Sequence, residues 1–94
     1  MAQAVQLFSL GRIVATPGAL EALGQAGQSA HELLTRHVSG DWGQLEADDQ
    51  RENDRSLRAG FRLLSAYGLS TGMRLWIITE ADRSVTTLLL PEEY

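Results

Sequence analysis

Cysteine and lysine are both absent from this 94-residue chain. The lack of cysteine excludes disulfides, thiolate metal sites and a cysteine nucleophile. The lack of lysine excludes a P-loop lysine and Schiff-base chemistry. No apolar run approaches the roughly 20 residues that cross a bilayer, and the N-terminus lacks a basic region followed by an apolar one. We therefore expect neither a membrane partner nor a secretory signal.

The charge balance is acidic, with twelve acidic residues against eight arginines and a net charge of −4. Nucleic acids and anionic membranes are bound by clustered positive charge, so this balance disfavours both as partners. The length fits one domain, 1–94, with one core. Nothing in the composition indicates a cofactor or a metal, and another protein is the partner that these features favour.

Three segments show helix signals, because each has a capping residue before it and glycine or a small residue after it. Thr16 and Ser29 suit the N-cap positions of the first two helices. The third segment is poorly amphipathic, since its only large apolar residue is Leu57 and Asn53 lies one turn before it. The predicted helices are Pro17–Ala26, Ala30–Ser39 and Asp49–Ala59.

After Gly60 the period changes to the alternation that is typical of strands. Short turns separate the strands, and such connections require antiparallel neighbours. The segment Val5–Val14 also fits a strand, or two strands broken at Gly11. The predicted fold class is α+β, with about three short helices followed by a three-stranded antiparallel meander and an additional N-terminal strand. The meander strands are predicted at Arg62–Tyr67, Met73–Thr79 and Val85–Leu90.

The middle strand of the meander is apolar on both faces, with Leu75 and Ile77 on one and Trp76 and Ile78 on the other. One face must pack against the helices. The other face meets either the N-terminal segment or another molecule, so a homodimer through the sheet is one option. Its central position favours a core location for Trp76, and the alternative is a surface or interface position.

Several polar or aromatic residues lie where local rules favour other types, and such departures often mark functional or strained sites. His37 is either a packed histidine or a ligand contact, and it lies six residues after His31, about 240° around a helix, so the two cannot share a metal. Trp42 in a polar loop either fills the core edge or forms a contact surface. The candidate residues are His37, Asp41, Trp42, Asn53, Glu80, Asp82 and Arg83.

The remaining candidates also have two interpretations each. Asn53 either locks loop backbone near residues 41–43 or recognises a ligand. The hairpin residues Glu80, Asp82 and Arg83 form either a stabilised turn or a charged site with carboxylates for acid–base work. Arg83 has the length to reach Asp41 and make a charge-assisted bond.

Five segments together resemble a family of small bacterial proteins described as "plasmid-related", sometimes labelled "type I restriction endonuclease subunit M". The resemblance covers roughly residues 10–94 and implies an association with plasmids, prophages and integrated elements in the bacterial cytoplasm. It implies no catalytic residue. The segments are HVSGDWG (His37–Gly43), ND (Asn53–Asp54), RLLSAY (Arg62–Tyr67), WIITEADRS (Trp76–Ser84) and TTLLLPEEY (Thr86–Tyr94).

The methyltransferase label does not fit the residues, because the only asparagine, Asn53, is followed by Asp54 rather than by the prolines of an adenine methyltransferase motif. The predicted function is a non-enzymatic acidic protein-interaction module associated with mobile genetic elements. The alternative is a small enzyme or ligand-binding domain that uses His37, Asp41, Asn53 and the Glu80–Arg83 turn around one pocket. DNA binding through the arginines ranks third because the chain is acidic.

Overall fold

The structure is a computed structural model that describes residues 5–94. Residues 1–4 of the predicted domain 1–94 lie outside the described residues. The α+β prediction is confirmed, with three helices and a four-stranded sheet. In chain order the elements are β1 (Arg12–Ala15), α1 (Pro17–Ala26), α2 (Ala30–Val38), α3 (Ala47–Ala59), β2 (Leu63–Gly68), β3 (Arg74–Thr79), β4 (Val85–Leu89) and a 3-10 turn (Pro91–Glu93).

The helices begin where the capping residues predict. The Thr16 hydroxyl accepts the Ala19 N–H at 3.1 Å, and the Ser29 hydroxyl accepts the Glu32 N–H at 3.2 Å. Each bond satisfies one of the backbone donors that a helix start leaves without a partner. Helix α3 begins two residues earlier than predicted, after Glu46, whose side chain makes no capping bond.

The sheet has the strand order β1-β4-β3-β2. The predicted antiparallel meander is confirmed for β2, β3 and β4. Strand β1 extends it by pairing parallel to β4, so the whole sheet is mixed. β1 is shorter than the predicted Val5–Val14 strand. It begins after Gly11, whose φ is +64° and where a Cβ would lie only 2.4 Å from the Ser84 carbonyl group, so no side chain fits there.

Helices α1 and α2 cover one face of the sheet. The main core joins apolar side chains of both helices to those of β2, β3 and β4, including Leu33, Tyr67, Leu75, Ile77 and Leu88. This core accounts for one apolar face of β3. The N-terminal segment does not cover the other face, because its strand joins the edge of the sheet in the same plane.

The face away from α1 and α2 carries Trp76, which is half-buried rather than in the core. Its ring meets the edge of the exposed Tyr94 ring, with centroids 5.7 Å apart. Buried Ile78 and Leu89 lie on the same face of the sheet. Trp76 thus shields neighbouring apolar side chains while part of it meets solvent.

None of the helices within residues 5–94 combines the length and the apolar character that crossing a membrane requires.

Candidate functional site

His37 lies at the centre of a buried polar chain between α2 and the sheet. Its side chain is 0% exposed. Nδ1 is 2.5 Å from the Ser65 hydroxyl, and Nε2 is 2.9 Å from the Thr79 hydroxyl. The Thr79 hydroxyl lies 2.7 Å from the Thr86 hydroxyl, which in turn donates to the Leu10 carbonyl at 2.7 Å. This chain of hydrogen bonds thereby links α2, three strands and the N-terminal segment.

The carbonyl at the end of this chain sets the direction of every hydrogen bond in it. The Thr86 hydroxyl donates its single hydrogen to the Leu10 carbonyl. It can therefore only accept in its bond with Thr79, so Thr79 donates to Thr86. Thr79 therefore accepts from Nε2–H of His37, and Nδ1 accepts the hydrogen of Ser65. Burial, together with the positive charge of Arg83, lowers the pKa of His37 to about 4, so the ring is neutral at pH 7.

A serine hydroxyl on a histidine nitrogen is also the arrangement of an activated nucleophile. Here both Ser65 and His37 are 0% exposed, so a substrate has no access to the hydroxyl in this structure. Every side chain in this chain of hydrogen bonds has its polar atoms paired, which favours a unique core arrangement. The geometry is that of an internal structural link.

Trp42 fills the core edge rather than standing at the surface. It is 3% exposed and lies against Phe8 and His37, with ring centroids 6.2 and 5.8 Å away. Its indole N–H donates to the Asp54 carboxylate at 3.1 Å. We call Phe8, His37 and Trp42 the aromatic cluster.

Asp41 has a partner other than Arg83. Its carboxylate accepts from Arg36 at 2.7 Å, and this hydrogen bond lowers the pKa of Asp41. The Arg36 guanidinium also lies 4.7 Å from the Tyr67 ring centroid, and the Tyr67 hydroxyl donates to the Asp41 carbonyl at 2.7 Å. The expected Asp41–Arg83 contact is thus replaced by a contact with α2.

The Asn53 side chain hydrogen-bonds to backbone groups, but these belong to strand β2 rather than to the loop at 41–43. Its amide donates to the Leu64 carbonyl and accepts the Leu64 N–H, as a neighbouring strand would. The loop between α2 and α3 bonds Ala66, the next residue of β2 whose backbone groups point outward. Trp42 O accepts from Ala66 N at 3.1 Å, and Gln44 N donates to Ala66 O at 2.6 Å. The outer edge of β2 is therefore hydrogen-bonded at both Leu64 and Ala66.

The charged hairpin is held together by its own side chains. Arg83 adopts a φ of +60°, and its guanidinium donates to the carbonyls of Ser56, Phe61, Glu80 and Ala81. The Arg83 guanidinium lies 5.6 Å from the Phe8 ring centroid, so it joins the hairpin to the end of α3 and to the aromatic cluster.

The two acids of the hairpin differ in how they contribute. The Asp82 carboxylate accepts from the N–H and the hydroxyl of Ser84, and these bonds lower the pKa of Asp82. Glu80 contributes through its backbone, because its N–H donates to Val85 O at 3.0 Å and its carbonyl accepts from Arg83.

The structure thus brings His37 and Trp42 together with Arg83 around Phe8, while the other candidates make separate local contacts. Asp41 bonds Arg36, Asn53 bonds Leu64 and Asp82 bonds Ser84. Across residues 5–94, no three His, Asp or Glu side chains come close enough to share a metal ion.

Strand β1 is the feature that the choice of candidate residues missed. Ile13 is 50% exposed and Val14 is 36% exposed, at the sheet edge opposite to β2. Ile13 also lines a groove against α2, whose apolar part is formed by Leu10, Leu34 and Val38. The signal in the sequence was a pair of β-branched residues, Ile13 and Val14, that follows Gly11 and Arg12.

No family model, curated protein or solved structure matches the chain. The resemblance to the plasmid-related family therefore stays a prediction.

Proposed function

We propose that this protein is a non-enzymatic protein-interaction module that adds an extended segment of a partner protein to the outer edge of β1. The carrying observation is the contrast between the two edges of the sheet. A loop and the Asn53 amide cover the β2 edge, whereas within residues 5–94 no backbone hydrogen bond is made on the outer side of β1. Proteins generally blunt exposed strand edges because these pair with other chains.

The pairing with β4 determines which groups of β1 face outward. Arg12 N donates to Ser84 O at 2.9 Å, and Thr16 N donates to Leu88 O at 3.0 Å. Because backbone groups in a strand alternate in direction, the N–H and C=O groups of Ile13 and Ala15 point away from the sheet. These four groups are the hydrogen-bonding surface that a partner strand would meet.

The groove beside β1 supports the same proposal. Recognition by strand addition takes its affinity from main-chain hydrogen bonds and its specificity from pockets for alternate side chains. The groove has an apolar part formed by Leu10, Ile13, Leu34 and Val38, and its lining also includes the polar residues Gln6, His31 and Thr35. An apolar side chain of the added segment fits such a lining.

The residues of the alternative function, a small enzyme or ligand-binding domain, are engaged in internal contacts. His37 is fully buried, and Asn53 and Arg83 use their side chains on backbone groups. This engagement favours the interaction module over the ligand-binding alternative. The association with mobile genetic elements in bacterial cytoplasm is part of the proposal and is supported by the family resemblance alone.

A random-peptide display library selected against the purified chain tests this function. Peptides that bind should shift the amide signals of Ile13 and Ala15 in a ¹H–¹⁵N spectrum. Ile13→Pro removes an outward N–H, and proline is tolerated at an edge position whose N–H faces solvent. We expect this variant to weaken binding by about tenfold or more, the loss of about one hydrogen-bonded contact.

Ile13→Val is the matched control, because it keeps both the N–H and a β-branched apolar side chain, and it should bind within a few-fold of the parent chain. Circular dichroism confirms that both variants are folded. Selection that yields no binder, peptides that map to the Trp76 and Tyr94 face, or equal binding by Ile13→Pro would each contradict the proposal.

A further inference from the structure

We propose that the partner which β1 accepts is a second copy of this chain, with the two β1 strands antiparallel about a two-fold axis at Val14. This inference rests on the proposed function, since it assigns an occupant to the same edge. It would extend the four-stranded sheet of each copy into one eight-stranded sheet across the dimer.

The backbone pattern of β1 is self-complementary in this register. With Val14 opposite Val14 of the second copy, Ile13 lies opposite Ala15, and both residues carry outward N–H and C=O groups. Two such pairs satisfy all the outward groups of the strand with four hydrogen bonds. A shift by one residue would place outward groups against residues whose groups already bond β4, and a shift by two would place Ile13 or Ala15 opposite a residue outside β1, so this register satisfies the most outward groups.

Charge complementarity supports the same register. Arg12, Val14 and Thr16 lie on one face of β1, and Arg12 comes opposite Thr16 of the second copy. The Thr16 hydroxyl donates to the Glu93 carboxylate at 2.6 Å, which fixes an exposed negative charge at that position. Opposed Cβ atoms in such pairs are about 4.5–5.5 Å apart, so the guanidinium of Arg12 reaches this carboxylate.

The symmetry creates two of these ion pairs, one on each side of the central Val14 contact. Among the described residues, no ion pair within the chain engages either Arg12 or Glu93. Glu93 Oε1 accepts hydrogen bonds from the Thr16 hydroxyl and from Leu90 N–H, so the carboxylate is held in place while no cation of the described residues neutralises its charge. A pairing of four residues is small for a protein interface, so the dimer should be weak, with a dissociation constant between about 1 µM and 1 mM.

Sedimentation equilibrium of the full chain across that concentration range tests the inference. In a dimer of either Arg12→Glu or Glu93→Arg, positions 12 and 93 carry the same charge and face each other on both sides of the axis. Each substitution alone should therefore weaken dimerisation by at least about tenfold. An equimolar mixture of the two variants restores both attractive pairs and should recover association between them. Arg74→Glu on β3 makes the same charge change away from β1 and should leave the dissociation constant within about twofold.

Thermal melting shows whether Glu93→Arg, which also loses the bonds to the Thr16 hydroxyl and to Leu90 N–H, stays folded. A parent chain that is monomeric up to about 1 mM, or a variant mixture that does not associate, overturns the inference. If the monomeric chain still binds selected peptides at Ile13 and Ala15, only the choice of a second copy fails. If it binds neither peptide nor copy at β1, the proposed function fails as well.

Discussion

Acid should destabilise the protein through His37 before it affects the carboxylates. The folded-state pKa of His37 is lowered from 6.5 to about 4, first by burial and then by the charge of Arg83. Protonation would also require Nδ1 to donate, although it now accepts the hydrogen of Ser65. The unfolded chain therefore takes up this proton at a higher pH than the folded chain does, and the free energy of unfolding falls as the pH is lowered.

The size of the effect follows from the difference between the two pKa values. Each pKa unit corresponds to about 1.4 kcal/mol, so the shift to about 4 contributes about 3 kcal/mol that is fully present above pH 6.5 and lost by pH 4. About 2 kcal/mol of this should be lost between pH 7 and pH 5. Asp41, Asp82 and Glu93 have lowered pKa values, so their contributions are lost mainly below that window.

Urea denaturation at closely spaced pH values between 7 and 5 measures this loss. His37→Gln is the matched control, because it keeps a polar side chain that does not titrate, and its free energy of unfolding should be nearly independent of pH in this window. His31 is present in both chains, so its contribution cancels in the comparison. Equal slopes for the two chains, or an NMR titration of His37 with a midpoint near 6.5, would refute the buried neutral histidine.

Two further substitutions test the contacts that hold the loop and the hairpin. Gly43 has a φ of +77°, and a Cβ there would lie 2.1 Å from the Ala66 carbonyl oxygen, so Gly43→Ala should cost about 2–4 kcal/mol. Gly27 has a similar φ but open space around it, so Gly27→Ala should cost only about 1–2 kcal/mol. Equal losses of unfolding free energy in the two variants would contradict the close approach of Gly43 to Ala66. Arg83→Met keeps the stem near Phe8 but loses the bonds to backbone carbonyls, and urea titration should show a loss of about 2 kcal/mol; an unchanged midpoint would show that the hairpin does not depend on them.

The helices and the meander were predictable because their signals are local. Thr16 and Ser29 are capping residues next to the helices they begin, and the strands after Gly60 alternate within themselves. The parallel pairing of β1 with β4 joins Ile13 to Thr86, more than seventy positions away, and no local pattern encodes it. The same long-range pairing decided that the N-terminal segment extends the sheet instead of covering it.

The polar core was only partly predictable. His37 was recognised as a packed histidine or a ligand contact, but its partners Ser65, Thr79 and Thr86 come from three strands whose register was unknown. Alternation does place each of these hydroxyls on the same face as the apolar residues of its own strand, which was the available signal. Their meeting point depends on the tertiary arrangement.

Helix α3 shows how a polar sequence can still be held in place. A backbone lock is one of the two interpretations of Asn53 that the sequence leaves open, and its target depends on how the helix is positioned along β2. The bonds from Asn53 to Leu64 and from Trp42 to Asp54 replace the apolar stripe that the helix lacks. The scarcity of large apolar residues in this segment therefore reflects attachment to a strand edge through hydrogen bonds.

Amide hydrogen exchange at β1 tests the central claim, that its outer edge is an open binding surface, most directly. In dilute protein, the N–H groups of Ile13 and Ala15 should exchange rapidly, while those of Arg12 and Thr16, which bond β4, should be protected. Association should then protect Ile13 and Ala15 selectively. Protection of both amides in the dilute monomer, or their continued rapid exchange in the associated protein, would contradict the account.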